Sequence, residues 1–387
     1  MLKLKILILF LPILVVSCGH TGLVESDYSS EGAVFENRIT FSISQPPLVL
    51  NLDSVTAPTT SMIQYLRSAN EEKLAFWNDN DKSIVFFDLR TGTVVKKQFF
   101  DREGPNTVYA SNFLIHAEDS MFMTDAVQST YLVDSKSRVL NKYPVEDTNE
   151  LEKSPGPQVW TASPMFFSDG NLYFQGYIGG VFNQPNIGRL NLESKEIDYF
   201  GGYPEFYTKA YWRGGYEYMY LTFNQKEKLV VQSYVADHHV RVLDLNEIDE
   251  NQTRYFAGTS EFPSLKPPRE KMGDPGHEED ERKFMLQPSF GLIHYDRFKD
   301  LYYRFAFEGL TESDFYSGDP SRATIKPSRI IILNASFEKV GEYPLPRFKY
   351  NSKMSFVGEK GFYVKIVNDE NEDIIEFEVF EPIKMEK

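Results

Sequence analysis

Cysteine is almost absent from this sequence, since Cys18 is the only one in 387 residues. A single thiol cannot form an intramolecular disulfide, so an apolar core has to hold the folded domain together. Histidine is also scarce, with six residues, and no set of Cys and His has the spacing of metal ligands. A Gly-rich phosphate loop and a nucleophile elbow are missing as well. We therefore expect no metal and no cofactor, and these absences weigh against catalysis.

Positive charge is in the minority: 41 Lys and Arg stand against 56 Asp and Glu, which gives a net charge of -15. An acidic surface repels nucleic acid and anionic lipid head groups. The composition therefore argues against a nucleic-acid partner and against membrane contact by the folded domain itself.

Long apolar runs are absent apart from one near the start, Ile6–Val16, which follows Lys3 and Lys5. A positive start followed by an apolar run of this length is typical of a secretion signal, and the run is too short for a permanent transmembrane helix. It leads into Val15-Val16-Ser17-Cys18, which is similar to the lipobox that the bacterial lipoprotein signal peptidase cleaves. The sequence therefore predicts a signal peptide over residues 1–17.

Cys18 is then the lipidated first residue of the mature protein, and two or more acyl chains are enough to hold a protein stably on a membrane. Residues 18–33 are rich in Gly, Ser, Thr and acids and are predicted to form a flexible tether. Residues 34–387 form the folded domain in this interpretation. Removal of Lys3 and Lys5 with the signal changes the net charge from -15 to -17.

A five-residue pattern, polar then three apolar then polar, recurs six times along the chain. Turn-rich residues precede each copy, so each is predicted to be a strand that follows a hairpin turn. The first apolar residues of successive copies lie 47, 51, 57, 72 and 61 residues apart, and such spacings are typical of propeller blades with insertions. The copies are Lys73–Trp77, Ser120–Thr124, Asn171–Gln175, Lys228–Gln232, Asp300–Arg304 and Gly361–Lys365.

A second run of β-branched and aromatic residues follows every copy, and an Asp or Asn ends five of these runs. Such a side chain can accept a hydrogen bond from the amide two residues later, which favours a tight turn. A more polar strand follows the run and ends near an aromatic-proline step, because proline cannot donate to a sheet ladder. With the strand before each pentad, this makes four strands in a repeat. The five Asx residues are Asp88, Asp134, Asn191, Asp244 and Asn334. The aromatic-proline steps are Tyr143-Pro144, Tyr203-Pro204, Phe262-Pro263 and Tyr343-Pro344.

These repeats predict an all-β fold, a six-bladed β-propeller with four-stranded antiparallel blades. The sixth repeat lacks a fourth strand, because the chain ends soon after Phe380. A strand-like segment without a place in any repeat, Arg38–Ile43, precedes the first one. We expect this N-terminal strand to pair with Asp373–Phe380 and to close the last blade.

The lipobox, the six hairpins and the link Asp101–Asn106 give the chain a resemblance to uncharacterised Bacteroidota lipoproteins that carry a six-bladed TolB-like or NHL-like propeller and are classed as a domain of unknown function. The resemblance covers nearly the whole mature chain. It implies the fold and a place in the cell envelope, and it implies no catalytic residues.

Surface-exported lipoproteins of that lineage usually have acidic residues directly after the lipidated cysteine. Here Gly19-His20-Thr21-Gly22 follows, which favours an outer-membrane position facing the periplasm and leaves surface exposure open. Two triplets, Asp53-Ser54-Val55 and Asp119-Ser120-Met121, resemble the O-glycosylation acceptors of the lineage. A three-residue pattern also arises often by chance.

The loops between the second and third strands and the links between blades gather on one face of a propeller, where sites of this fold usually lie. The two longest, Gly258–Pro288 and Phe307–Ser328, both belong to the fifth blade. We expect them to lie side by side as a cap over one sector of this face. Loops of this length are functional or disordered, so disorder of the first is the alternative.

The segment Tyr211-Trp212-Arg213-Gly214-Gly215 is the most typical of a binding site. Aromatic faces beside an Arg suit sugars, peptides or carboxylates, and glycines let a backbone approach a ligand. Packing of Trp212 between blades is the alternative. Trp160 has the same two interpretations, and Arg102 lies in the link after the first blade. The predicted ligand-binding residues are Trp160, Tyr211, Trp212, Arg213 and Arg102.

Two other polar clusters are not expected to bind a metal. His238 and His239 follow Asp237, but neighbouring residues of a strand point to opposite faces. The stretch His277–Glu281 lacks the second histidine, four residues on, that a zinc protease helix carries. It is expected to be a solvated acidic loop.

Two functions of different class follow. The first is a non-enzymatic binding or scaffold propeller of the cell envelope, which holds a peptide, glycan or protein partner on its capped face. The second is a metal-assisted hydrolase or lyase that uses carboxylates such as Asp79, Asp125 or Asp237 around the channel.

Replacement of Cys18 by alanine is expected to abolish acylation, because the acyl chains have no attachment point. Metabolic labelling with a clickable palmitate analogue measures this. Ser29→Ala, in the predicted tether, is the matched control and should stay labelled. Labelling of Cys18→Ala at the level of the unsubstituted protein would contradict the lipidation.

Overall fold

The computed structural model describes residues 35–43, 45–108, 110–125, 129–143, 157–176, 182–248, 252–262, 265–268, 277–368 and 371–385. Within them, six antiparallel sheets of four or five strands follow one another along the chain. Each sheet begins on the channel side and ends at its outer edge, which is the arrangement of a six-bladed β-propeller. The predicted fold class is confirmed.

Two short strands, β1 (Ile39–Ser42) and β2 (Leu48–Asn51), precede the first blade. The first blade consists of β3 (Ile63–Arg67), β4 (Glu72–Asn78), β5 (Ser83–Asp88) and β6 (Thr93–Phe99). The second consists of β7 (Ala110–Ala117), β8 (Ser120–Asp125), β9 (Thr130–Val133) and β10 (Val139–Tyr143). The third consists of β11 (Pro157–Gln158), β12 (Phe166–Ser168), β13 (Asn171–Gly176), β14 (Ile187–Asn191) and β15 (Ile197–Phe200).

The fourth blade consists of β16 (Met219–Asn224), β17 (Leu229–Tyr234), β18 (His239–Asp244) and β19 (Thr253–Phe256). The fifth consists of β20 (Ser289–Asp296), β21 (Leu301–Phe307), β22 (Ser328–Asn334) and β23 (Lys339–Pro344). The sixth contains β24 (Tyr350–Gly358), β25 (Gly361–Ile366) and β26 (Ile374–Lys384). A 3-10 helix, Glu205–Thr208, lies in the link between the third and fourth blades.

The recurring pentad is the second strand of every blade, and the apolar run after it is the third strand. The five Asx residues make the turns expected of them. In each case the side-chain oxygen accepts a hydrogen bond from the amide two residues later. The five N···O distances are 2.8 Å at Asp88, 2.9 Å at Asp134, 3.0 Å at Asn191, 2.8 Å at Asp244 and 3.0 Å at Asn334.

The aromatic-proline steps are a less regular signal. They coincide with the end of the outer strand at Tyr143 and at Pro344. In the third and fourth blades the outer strands end earlier, at Phe200 and Phe256. The chain therefore leaves the sheet before the proline in these two blades, on its way into the long links that follow.

The apolar core lies in the seams between blades. In β4, Leu74 and Phe76 pack against the sixth blade, whereas Ala75 and Trp77 pack against the second. All four are fully buried. Because each blade is covered on both faces, successive residues of its middle strands are apolar, which is why the pentads read as continuous runs and not as alternating ones.

The N-terminal strands close the ring as the outer strand of the sixth blade, with a different register from the one expected. Strand β1 pairs with Glu381–Lys384, beyond Phe380. The stretch Ile374–Phe377 pairs with β2, which the sequence analysis did not identify. The predicted partner Asp373–Phe380 was therefore wrong for residues 38–43, because β26 continues through Pro382 and offers room for two short strands.

The same two strands also hold the neighbouring blades. The amide of Arg38 donates to the carbonyl oxygen of Val340 in the fifth blade at 2.8 Å, and the amide of Asn51 donates to that of Gly92 in the first blade at 2.8 Å. Gly92 has φ +68°, and a Cβ there would lie 1.9 Å from the Val49 carbonyl oxygen. Only glycine permits this approach.

Replacement of Phe41 by alanine is expected to lower the free energy of unfolding by about 3 kcal/mol, since it removes a buried ring at the closure. Phe41 contacts Tyr303, Tyr343 and Phe380 at centroid distances of 5.4 to 5.6 Å. Urea denaturation followed by circular dichroism measures the change. The control is Ile43→Ala, whose side chain is exposed and should cost less than about 0.5 kcal/mol. Equal effects of the two substitutions would contradict closure by β1.

Candidate functional site

The two long loops of the fifth blade lie side by side, as expected. The described part of the first contains helix α1 (His277–Leu286), and the second contains α2 (Glu312–Phe315) and α3 (Pro320–Thr324). The amide of Leu310 donates to the Met285 carbonyl oxygen at 2.9 Å, and Arg282 pairs with Glu312. We call these three helices the cap.

The prediction of a solvated acidic loop at His277–Glu281 was wrong, because this stretch forms the first turn of α1. Acidic residues are favourable there, next to the positive end of the helix dipole. The face of α1 that carries Asp280 packs against the Gly214-Gly215 turn, and Asp280 is only 2% exposed. A Cβ on Gly214 would lie 2.8 Å from Asp280. Because neither glycine has a Cβ, helix α1 can pack directly against this turn.

The inner strand of the third blade is interrupted. Strands β11 and β12 both pair with β13, and the chain between them leaves the sheet. We call Trp160–Ser163 the crossing segment, because it bonds to two opposite blades. Thr161 donates from its amide to the Ser61 carbonyl oxygen at 3.0 Å, on the first blade's side. Ser163 Oγ donates to the Met219 carbonyl oxygen of the fourth blade at 3.1 Å. The segment therefore divides the axial channel into two parts.

Between the cap and the Gly214-Gly215 turn lies a cavity of about 410 Å³, which we call the outer cavity. The guanidinium of Arg213 lies 5.9 Å from the centroid of the Tyr211 ring. Burial raises the pKa of Glu217, and the charge of Arg213 opposes this rise. The lining residues are Tyr211, Arg213, Gly214, Gly215, Glu217, Tyr218, Asp280, Glu281, Phe284 and Met285.

The inner cavity, of about 210 Å³, lies on the cap side of the crossing segment and is contiguous with the outer cavity through Tyr218, Phe284 and Met285. Seven of its sixteen described lining residues are aromatic. The Trp160 ring stacks on Tyr220 with a centroid distance of 5.9 Å and an interplanar angle of 14°. The other lining residues are Ser289, Phe290, Leu292, Phe307, Thr324, Ile325, Lys326, Tyr350, Asn351, Ser352 and Lys353.

Lys326 is the most unusual residue of the inner cavity, because its side chain is buried, with the residue 8% exposed. Its Nζ donates to Ser289 Oγ at 3.0 Å and lies 4.1 Å from the centroid of Phe284. Burial lowers the pKa of Lys326 well below its ordinary value. Tyr350, across the same cavity, donates to Glu378 at 2.9 Å. Burial raises the pKa of Tyr350 to about 12.

The structure brings some of the predicted binding residues together and separates others. Tyr211 and Arg213 line the outer cavity, and Trp160 lines the inner one. Trp212 is fully buried and packs against Phe206, Tyr207 and Tyr216, so its ring belongs to the core. Arg102 is exposed in the link after the first blade and lines neither cavity.

Asp79 and Asp237, the two described carboxylates of the alternative, enzymatic hypothesis, line neither cavity. Asp79 is exposed and accepts hydrogen bonds from Trp77 and Lys82. Asp237 is buried and accepts from His239 and Arg241, and these contacts lower its pKa. The side chain of Asp125 lies outside the described residues. In the part of the chain that the structure describes, no three His, Cys, Asp or Glu residues are placed to hold a metal ion.

Sequence reasoning missed Lys326, Tyr218 and Tyr220 as site residues. The two tyrosines belong to the stretch around β16 and differ in no local way from the many other strand tyrosines. Lys326 stands between Ile325 and Pro327, and such an apolar setting is the only local signal of its burial. The residues that cover it come from α1 and β20, which are remote in sequence.

Below the crossing segment, residues from the inner strands of all six blades line a cavity of about 300 Å³. His294 lies in its wall, half-buried, with Nε2 2.9 Å from Ser355 Oγ. His116 lines the same cavity and is exposed. This lower cavity opens toward the face of the propeller opposite to the cap.

Cys18, the tether and both residues of the predicted signal cleavage site lie outside the described residues. Of the triplets that resemble glycosylation acceptors, Ser54 is exposed in a turn and Ser120 begins β8. None of the helices in the described ranges is long and apolar enough to cross a bilayer.

Comparison with known proteins identifies a family. The family described as Domain of unknown function (DUF4221) matches residues 38–344. A solved structure of a DUF4221 family member from Bacteroides vulgatus is 20% identical, with a TM-score of 0.76, over 91% of this chain and 100% of that one. A candidate exported protein from Bacteroides fragilis is 11% identical, with a TM-score of 0.52, over 93% and 98%. At these identities the likeness shows the fold alone. No curated protein matches the sequence.

The lower cavity gives a prediction for acid stability. Burial lowers the pKa of His294 to about 4, whereas an unfolded histidine titrates near 6.5. Between these two values the unfolded chain binds a proton that the folded protein does not, so His294 lowers the free energy of unfolding as the pH falls through this window. Above about pH 6.5 it has no such effect.

His294→Gln is therefore expected to lose less stability than the unsubstituted protein between about pH 6.5 and pH 4.5. Urea denaturation across this range measures it. The control is His116→Gln, which changes an exposed ring of the same cavity. If His294→Gln follows the unsubstituted protein at every pH, the lowered pKa of His294 is refuted.

Proposed function

This chain belongs to the DUF4221 family, and we propose that it is a lipid-anchored binding module of the cell envelope whose capped face holds a ligand. The observation that carries the proposal is the pair of contiguous cavities between the cap and the crossing segment. Binding sites are typically concave and apolar with a few polar groups that fix orientation.

The walls of the two cavities suit a ligand with flat faces. Trp160, Tyr218 and Tyr220 present a row of rings along one side, and the Arg213 guanidinium lies at the outer end. Aromatic faces and a guanidinium together suit glycans and peptides, which offer ring or planar amide surfaces and hydrogen-bonding groups. The site thus serves a glycan, a peptide or a protein partner with an exposed loop.

The anchor rests on the sequence of the N-terminus. Lys3, Lys5, the apolar run Ile6–Val16 and Cys18 form the pattern of a cleaved and acylated lipoprotein. Similarity to a candidate exported protein agrees with a location outside the cytoplasm. We place the domain on the outer membrane facing the periplasm, with surface exposure as the alternative.

An enzymatic role receives no support from the two carboxylates of the alternative hypothesis whose side chains are described. Asp79 and Asp237 are engaged in separate hydrogen-bond networks. A metal-assisted hydrolase or lyase needs several ligands that converge on one ion and an open position beside them. The capped site instead offers aromatic walls, which is the composition of a binding surface.

Trp160→Ala is expected to weaken ligand binding at least tenfold, about 1.4 kcal/mol, because it removes the ring at the junction of the site and the channel. Glycan and peptide arrays probed with the purified mature protein, followed by titration of the hits, measure the affinity. Trp160→Phe keeps a ring and should retain most of the binding. The distant control Arg102→Ala should bind as the unsubstituted protein does.

The proposal fails if hits on the arrays bind Trp160→Ala and Arg213→Ala as tightly as the unsubstituted protein. It also fails if Arg102→Ala weakens binding by the same factor, since Arg102 lines neither cavity. Circular dichroism of each variant separates a loss of binding from a loss of folding.

A further inference from the structure

The charge of the inner cavity is opposite to that of the whole chain. The protein has a net charge of -15, yet none of the described residues that line this cavity is Asp or Glu, and two of them, Lys326 and Lys353, are lysines. The remaining polar side chains there are hydroxyls and an amide. In a strongly acidic protein, a cavity with this lining is selective for anions over cations.

The environment of Lys326 also favours an anionic ligand. Among the described residues, no carboxylate lies within ion-pair distance of its Nζ, whose hydrogen-bond partner is the neutral Ser289 hydroxyl. The other buried lysine described, Lys339, pairs with Glu342 and donates to the Gly258 carbonyl oxygen at 2.9 Å. A buried ammonium is costly unless it is paired. Lys339 thus has an anionic partner within the protein. Lys326 has none among the described residues, so an anionic ligand can take that role.

The shape of the cavity limits what that anion is attached to. The ring of Trp160 stacks on Tyr220, and Phe284, Phe290 and Phe307 complete the apolar walls. A bare inorganic ion would leave these rings without a partner. A flat or ring-shaped body would fill the space and stack on the indole.

The outer cavity fixes the direction of such a ligand. Glu217, Asp280 and Glu281 line it, and these acidic residues repel a carboxylate. Of the residues that the structure describes in that lining, Arg213 alone is a cation. A ligand with one carboxylate therefore binds with this group in the inner cavity and with its uncharged end near the outer cavity.

We infer that the inner cavity binds a small ligand in which a carboxylate is attached to a ring-shaped body, with the carboxylate on Lys326 and Lys353 and the ring against Trp160. This inference rests on the proposed function, because it names the ligand class of that same site. Aromatic acids and sugar acids share this chemistry, and the experiment below distinguishes them.

Proton uptake accompanies binding at any pH above the pKa of Lys326 in the free protein, because a bound carboxylate then favours the ammonium form. Burial lowers the pKa of the Lys326 amine well below its ordinary value in the free protein, and a bound carboxylate raises it again. Among the described lining residues, the other titratable groups are Tyr218 and Tyr220 from the stretch around β16, and Tyr350 and Lys353 from β24. Burial raises the pKa of all three tyrosines, so they stay neutral near pH 7. The α1 residues in the lining, Phe284 and Met285, do not titrate.

The test is calorimetric titration of the purified mature protein with two probe acids, benzoate and glucuronate, and with their neutral counterparts, benzamide and methyl glucoside. At least one acid should bind at least tenfold more tightly than its neutral counterpart. Titrations in two buffers with different ionisation enthalpies should show that the complex takes up a proton. Binding of benzoate alone identifies an aromatic acid as the ligand type, and binding of glucuronate alone identifies a sugar acid.

Three variants make the test specific. Lys326→Met keeps the length and apolar stem of the side chain, should fold, and should lose at least tenfold in affinity for the acid together with the proton uptake. Lys353→Met changes an exposed side chain and should weaken binding less, without loss of proton uptake. The control is Lys82→Met, an exposed lysine that pairs with Asp79, and it should bind as the unsubstituted protein does.

The inference is overturned if neither acid binds, if neutral counterparts bind as tightly as the acids, or if Lys326→Met binds the acid unchanged. These results leave the proposed function standing when Trp160→Ala still abolishes binding of an array ligand. If Trp160→Ala has no effect on any ligand, the proposed function fails with it. Circular dichroism and the thermal midpoint of Lys326→Met exclude unfolding as the cause of a lost signal.

Discussion

The structure depends on the packing of blade against blade. A single blade has two apolar faces, as the alternation in β4 shows: Leu74 and Phe76 face one neighbour, and Ala75 and Trp77 face the other. Each face is buried only when the next blade is present. A row of such sheets has no stable end, so the ring must close. Strands β1 and β2 supply the closure by completing β26 and by bonding to the fifth and first blades.

A network of hydrogen bonds from one buried arginine links the fourth and fifth blades beneath the site. Arg304, the last residue of the fifth pentad, is fully buried and donates to the Ser233 hydroxyl and to the carbonyl oxygens of Tyr234, Asp237, His238 and Ala257. Burial lowers the pKa of Arg304 to about 9. The guanidinium satisfies backbone groups of the loop Tyr234–His238 and of the link that leads to the cap. The floor of the cap is therefore fixed by hydrogen bonds to main chain, which do not depend on which side chains the loop carries.

The candidate site lies where the regular pattern of the propeller is broken. In the third blade the inner strand is interrupted, and the chain between β11 and β12 forms the crossing segment. This segment is the base of the inner cavity. The fifth blade carries the two long insertions that form the cap. Blades without such departures supply the rigid ring. This division agrees with the general observation that sites are built on loops positioned by a stable scaffold.

Local sequence pattern was sufficient for the elements that local hydrogen bonding decides. The six pentads, the turns at residues such as Asp88 and Asn334, and the N-terminal strand Arg38–Ile43 each follow from side chains within a few residues. The pairing register of the N-terminal strands was harder to predict from the sequence. Strand β2 was not predicted, and β1 pairs beyond Phe380. Strands of four residues fit several positions along a long partner.

For the site, the sequence determined which loops would gather and that Tyr211, Arg213 and Trp160 were candidates. Only the tertiary structure decided that Trp212 turns into the core, that His277–Glu281 starts a helix, and that Lys326 is buried beneath Phe284. The reason is physical. A strand or a turn is set by neighbours in sequence, whereas the burial of a side chain is set by whichever remote segment packs over it.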